Sequence, residues 1–207
     1  MNKYLLSIAL ILIALMSQAQ VVKLSGPRVG GTIVTPGATS FFIQGGDIPG
    51  SDNNTWNANY EAWEQSSSFI TQYGWQLESK FIDSDDFAGL VEWVFLVGGM
   101  EKGLFLPSVS SLFGMRTKSG FEAAFGPNVS LSGVAMVLAV GITIKTGDLN
   151  IPINLSFVPG KANTNEQPGY NAYDDLTGQW TYYEGASKDY NTGSRISLTM
   201  GFNFARY

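Results

Sequence analysis

The sequence predicts an all-β chain, an eight-stranded antiparallel up-and-down transmembrane β-barrel with two long external loops. Three observations lead there. Large apolar residues alternate with small or polar ones, the alternation recurs in eight segments as far as the last residues, and the two long connections fall on the same side of the strand order.

The clearest segment is 134–145, where Val134, Met136, Leu138, Val140, Ile142 and Ile144 alternate with Ala135, Val137, Ala139, Gly141, Thr143 and Lys145. A period of two means a strand, because successive side chains leave a pleated backbone on opposite faces. Leu149, Ile151, Ile153, Leu155 and Phe157 repeat the pattern, as do Ile196, Leu198, Met200, Phe202 and Phe204. The expected strands are 22–34, 72–82, 89–99, 104–116, 120–127, 133–145, 150–158 and 194–206. An even number suits a barrel whose two ends lie on one side of a membrane, and a tilted strand of about 9 to 11 residues crosses one. The long connections are the first, 35–71, and the seventh, 159–193, whereas 117–119 and 146–149 are short. Outer-membrane barrels share this asymmetry of short periplasmic turns and longer external loops.

The beginning of the chain reads as a cleavable export signal. Lys3 supplies a positive charge, residues 4–15 an apolar stretch, and Ser17-Gln18-Ala19 a small-x-small cleavage site. The expected organisation is a signal peptide at 1–19 and one outer-membrane barrel domain at 20–207. The apolar stretch is shorter than the ~20 residues a membrane-spanning helix needs. A chain without cysteine has neither a disulfide scaffold nor a cysteine for a lipid anchor. Its formal charge is −5, and the loss of Lys3 with the signal makes it more acidic still, so no nucleic-acid partner is expected.

Periodicity does not say which face is inside. A soluble, secreted, lipocalin-like carrier would turn its apolar face inward around a ligand. The smaller face of 134–145 is mostly Ala, Gly and Thr, which suits a crowded interior better than a solvated surface. The apolar face is therefore read as facing outer-membrane lipid. The second strand then sends Tyr73, Trp75, Leu77 and Phe81 outward and Gln72, Gln76, Glu78 and Lys80 inward, and the third sends Val91, Trp93, Phe95 and Val97 outward and Glu92 inward. The fourth fits least well, since Leu104, Leu106 and Leu112 fall on the inner face. Eight strands leave room for side chains and no wide channel. The interior charges expected are Arg28, Lys80, Arg116, Lys145 and Arg195 against Glu78, Glu92 and Glu122. Confined ions need partners or trapped water, so these residues are read as a plug of ion pairs. A narrow path for ions or small solutes is the alternative.

No histidine is present, which removes Ser-His-acid catalysis and, with the missing cysteine, the usual zinc sites. No carboxylate pair stands out, so no catalytic residue, cofactor or metal is assigned and the chain is read as non-enzymatic. Asp83-Ser84-Asp85-Asp86 lacks the pattern of a calcium-binding hand loop and reads as a solvated turn. The remaining candidates are the aromatic rings of the long loops: Trp56, Tyr60 and Trp63 in the first, Tyr173, Trp180, Tyr182 and Tyr183 in the second. Rings beside amides and carboxylates form surfaces for a protein or glycan ligand. The other use for such rings is to pack the loops together and cap the barrel.

The sequence resembles small outer-membrane β-barrel proteins of the Bacteroidota type, a family without an assigned activity. The resemblance lies in the leader ending Ser17-Gln18-Ala19-Gln20, in Tyr73-Gly74-Trp75-Gln76-Leu77-Glu78, in the segment from Leu96 to Pro107, in that from Gly147 to Leu155, and in Gly201-Phe202-Asn203-Phe204. It covers most of the barrel and not the long loops. It implies location in a bacterial outer membrane, insertion by the barrel-assembly machinery and a structural or surface partner-binding role. That machinery reads a last strand of alternating apolar residues ending in an aromatic. Phe202 and Phe204 keep this register and Tyr207 does not, so the strand either ends at Phe204 or bends close to its end.

Overall fold

The computed structural model describes residues 23–46, 66–167, 169–174 and 178–206. The expected signal peptide and Tyr207 lie outside them. The strands in chain order are β1 (Lys23–Val34), β2 (Ser68–Asp83), β3 (Phe87–Gly98), β4 (Leu106–Thr117), β5 (Phe121–Ser130), β6 (Gly133–Thr146) and β7 (Leu149–Val158), followed by β8 (Ala162–Gln167), β9 (Tyr170–Asp174), β10 (Gln179–Tyr183), β11 (Ala186–Asn191), β12 (Arg195–Gly201) and β13 (Asn203–Arg206). A short helix, α1 (Ala38–Ile43), follows β1.

From β2 to β7 each strand pairs antiparallel with the next, β7 pairs with β12 and β13, and β1 closes the ring by pairing with β12, β13 and β2. With β12 and β13 as two pieces of one strand, this is the closed eight-stranded up-and-down barrel that the alternation predicts. The described residues group into two compact units. One takes in residues up to Thr32, Ile70–Val158 and the chain from Ile196; the other is Ile33–Phe69 with Pro159–Arg195.

In the barrel the alternation separates an exposed outer wall from a buried interior. On β6 Leu138 is 57 % exposed and its neighbour Ala139 7 %. On β2 Trp75 and Leu77 are each 42 % exposed, whereas Gln76 and Glu78 beside them are fully buried. The small residues expected on the inner face of 134–145 are indeed inside: Val137, Ala139 and Thr143 are buried. The awkward leucines of the fourth strand find a physical reason here. Leu112 is buried with Val94, Val137, Ala139 and Val158, so part of the interior is an apolar layer. Burying one such leucine is worth about 1.5–3 kcal/mol. Leu104 and Leu106 are half-buried at the same end, beside Gly99.

Two ladder interruptions follow from proline. Between the pairs Ser110↔Asn128 and Phe113↔Phe125 the β4–β5 register lapses, at Gly126-Pro127, where Pro127 has no N–H to give. The backbones come so close there that a Cβ on Gly126 would stand 1.9 Å from the Ser111 carbonyl oxygen. At the other break, Phe202 separates β12 from β13 and donates its N–H to the Pro27 carbonyl at 3.0 Å. The last strand is thus interrupted just before Phe204. Asn203 is buried and Phe204 exposed, so the alternation survives the interruption.

The connections at one end are short. Ser84 closes the β2–β3 turn through its N–H to the Phe87 carbonyl, 3.0 Å, and its hydroxyl to the same oxygen, 2.8 Å. Gly147, at φ 60, supplies the left-handed residue of the β6–β7 turn. At the opposite end Glu101 accepts from the Thr71 N–H at 2.9 Å and its hydroxyl at 2.5 Å. The Thr71 hydroxyl bond, more than any other influence, holds this carboxyl below its ordinary range.

The second unit is where the structure departs from the expectation of plain loops. The seventh connection contains two hairpins, β8 with β11 and β9 with β10. The sequence carries a signal for the inner one: Trp180, Tyr182 and Tyr183 favour a strand, and Gly178, at φ 68, supplies the turn residue. In the first connection, the Ser40 hydroxyl of α1 donates to the Ser66 carbonyl at 2.7 Å and lies 2.9 Å from the Ser68 hydroxyl.

The Gly126 contact sets a strict test. Gly126→Val should destabilise the barrel by more than the ~1–3 kcal/mol of an ordinary overpacked core, because the obstacle is backbone. Urea unfolding of the purified chain, followed by loss of the heat-modifiable band on a denaturing gel, measures it.

Candidate functional site

Among the described residues, five charged side chains are buried in the interior of the barrel, Arg28, Glu78, Glu92, Arg116 and Glu122. Strand register decides which of them meet. Arg116 on β4 lies directly opposite Glu122 on β5, and its Nε donates to Glu122 Oε1. Its Nη1 and Nη2 donate to the two oxygens of Glu78 on β2, each at 2.7 Å. This bidentate fork is the strongest form of guanidinium–carboxylate contact. Thr143 on β6 donates a further hydrogen bond to Glu122 Oε1. One arginine therefore links β2, β4 and β5 across the interior.

Arg28 on β1 is satisfied by neutral groups instead. Its Nε donates to Thr199 Oγ1 at 3.0 Å and its Nη1 to Gln76 Oε1. With the Asn154 amide turned to satisfy both of its ends, Nη2 donates to Asn154 Oδ1 at 2.8 Å and the Asn154 amide nitrogen to the Ile153 carbonyl at 2.9 Å. Thr32 Oγ1 lies 2.6 Å from both Gln72 Oε1 and Ser197 Oγ, adding a third polar cluster. Small residues make this packing feasible. At Gly141 a Cβ would stand 2.4 Å from the Ile153 carbonyl oxygen and closer still to the Asn154 amide, so only glycine leaves that amide its place.

The other expected interior charges lie elsewhere. Lys80 pairs with Asp83 at 3.2 Å beside the β2–β3 turn, and Lys145 is exposed. Both line a depression of about 110 Å³ at the short-turn end, among Asp83, Asp85, Asp86 and Lys118. Arg195 is half-buried at the head of β12 and groups with the second unit. Glu92 is buried on β3 opposite Glu78 and Leu112. What sequence reasoning missed inside the barrel is the neutral shell of Arg28. Gln76 was legible as inward-facing; Asn154 and Thr199 required the register.

In the second unit, the pairing of β9 with β10 puts Asn171, Tyr173, Trp180 and Tyr182 on one face, since Trp180 is opposite Tyr173 and Tyr182 opposite Asn171. The rings of Tyr173 and Trp180 lie 5.1 Å apart at 53°. Tyr173, Trp180 and Tyr182 are 51–70 % exposed. Tyr190 behaves differently and packs with Phe41 against Ala38 of α1. Of the other candidates, Tyr183 is placed at the end of β10, while Trp56, Tyr60 and Trp63 fall outside the described residues.

No family model, curated protein or solved structure matches this chain.

Because both carboxylates of Glu78 and Glu122 converge on one cation, Arg116→Met should cost about 3–5 kcal/mol, the penalty of leaving buried charge uncompensated. Glu78→Gln combined with Glu122→Gln and Arg116→Met should recover part of that loss. Chemical unfolding of the three-residue series against the single variant tests the coupling.

Proposed function

We propose that this protein is an integral outer-membrane β-barrel of bacteria, exported by its signal peptide and inserted by the barrel-assembly machinery, with a structural or partner-binding role rather than an enzymatic one. The observation that carries the reading is the outer wall. Every barrel strand turns large apolar side chains outward, among them Tyr73, Trp93, Phe113, Phe125, Leu138, Leu155 and Leu198, all at least 40 % exposed. So large a contiguous apolar surface is costly in water and suits hydrocarbon. The likeness of the strand segments to Bacteroidota-type barrels points the same way.

The interior argues against the two alternatives. A lipocalin-like carrier needs an apolar cavity in the barrel, and a channel needs a continuous wet path. Here the described interior is occupied by the Arg116 and Arg28 clusters and by the apolar layer around Leu112. Cells expressing the full chain should retain it in the outer-membrane fraction, with a band that shifts between unboiled and boiled samples, and the purified chain should not conduct in planar bilayers. Soluble release with no shift would favour the carrier, and steady conductance the channel.

The aromatic hairpin supports the partner-binding half of the reading. Its face of Trp180, Tyr182, Tyr173 and Asn171 offers rigid rings beside a hydrogen-bonding amide, the composition of surfaces that hold a glycan or a protein loop. Tyr182 is the informative position, since its ring is outside the Tyr173–Trp180 pair. Tyr182→Ala should lower retention of displaying cells on immobilised polysaccharide or host protein about tenfold or more, as loss of ~1.4 kcal/mol implies, with the heat-dependent shift unchanged. Equal retention of variant and parent would remove this face from the reading.

A further inference from the structure

Among the described residues, the buried interior carries three carboxyl groups and two guanidiniums. Neither arginine makes a hydrogen bond or an ion pair to Glu92. The described bonds of Arg116 go from Nε, Nη1 and Nη2 to Glu122 and Glu78, and those of Arg28 from its three nitrogens to Thr199, Gln76 and Asn154. Glu92 is 2 % exposed, and among the described residues no side chain donates a hydrogen bond to it. It also stands directly opposite Glu78 on the same face of the sheet, where like charges repel.

A second group points at the same place. Glu122 keeps Oε1 on Arg116 and Thr143, but its Oε2 is buried without a partner. Glu92 and Glu122 both line one interior cavity of about 10 Å³, which Asn154 also lines and whose other walls are largely apolar. That is about the room one water molecule takes. The remaining groups facing this region are Glu78 and Arg116 from β2 and β4, Arg28 from β1, and the uncharged Thr143, Asn154 and Thr199 from β6, β7 and β12.

We infer that this cavity is a proton-binding site, in which Glu92 is an un-ionised carboxylic acid that donates its hydrogen bond toward Glu122 Oε2, directly or through one water. With that proton in place the buried charges balance, two guanidiniums against the carboxylates of Glu78 and Glu122. Without it, an unpaired carboxylate would sit opposite another in a confined interior, the arrangement for which desolvation is most costly. The proton gives the unpartnered Glu122 oxygen its donor and removes the repulsion across β2 and β3. In effect the barrel carries a bound proton as a structural ligand.

Infrared difference spectroscopy of the folded full chain in detergent at neutral pH tests this. The carbonyl stretch of one un-ionised carboxyl group should be present and should shift on exchange into deuterated water. Glu92→Gln, which keeps the shape and a donor, should abolish that band while leaving the heat-dependent gel shift intact. Absence of the band in the parent chain would overturn the proposal, and a parent chain that is instead stabilised by sodium over a bulky organic cation would identify a cation site. A band that persists in Glu92→Gln would place the proton on another carboxyl and equally overturn the assignment. If Glu92→Gln does not fold, Glu92→Leu and Glu122→Gln are read on the same band: its loss in the first and a shifted frequency in the second are expected.

Discussion

Closing eight strands into a ring leaves an interior only wide enough for side chains to fill, and this constraint governs the arrangement of the rest. A bulky inward residue needs either small neighbours around the ring or a neighbour it can bond. Two cross-strand rows show the two solutions. Leu90 is followed by Gly114, Ala124, Ala139 and Ser156 along one row, and Arg116 by Glu122, Gly141 and Asn154 along another. In the first, one large group is flanked by small residues; in the second, Arg116 and Glu122 are hydrogen-bonded to each other and Gly141 leaves room for Asn154. The same economy explains why a strand pattern can look weak where it is doing most: the inner face of β6 is a list of small residues because larger ones reach across from other walls.

Filling the interior with charge needs a separate reason, because a buried ion pair seldom outperforms apolar packing of equal volume. The arginine clusters make the register unambiguous. A slip of one residue in β2 or β5 would turn Glu78 or Glu122 to the outer wall and strand Arg116 inside, whereas an all-apolar interior would tolerate such a slip far better on an apolar exterior. The hydrogen bonds of Arg28 act likewise on β1, β2, β7 and β12, the strands at and near ring closure. Polar specificity and apolar filling are thus divided between layers, with Leu112, Val137 and Val158 forming the dry part.

Most of the ring was legible from period alone, since a half-buried wall forces alternation whichever side is wet. Glu78, Glu92, Arg116 and Glu122 could be placed inside by parity. Their partners could not, because parity says nothing of height along the barrel: Lys145 shares the inner face of β6 with Thr143 yet lies at the exposed end. The leucines of β4 looked anomalous for a related reason. A reading that asks for a polar interior everywhere has no place for an apolar layer, although the narrow space accepts either. The hairpins of the second unit were missed because Asn, Asp and Gly between the aromatics read as loop punctuation, and pairing of Tyr173 with Trp180 is a contact that local composition does not announce.

That ring pair has a consequence for how the second unit works. A two-stranded hairpin is marginal in water by itself, and a cross-strand aromatic pair contributes about 0.5–1.5 kcal/mol beyond burial. Tyr173 and Trp180 therefore have a structural use that needs no ligand, and their exposure alone does not mark a binding surface. Tyr182 and Asn171 are the opposed pair beside them on the same face. Tyr182 is 62 % exposed with its ring outside the Tyr173–Trp180 contact. A surface ring outside the aromatic pair that braces the hairpin has the stronger claim to meet something else. The binding contribution of this face, as distinct from its folding contribution, rests on Tyr182 and its amide neighbour.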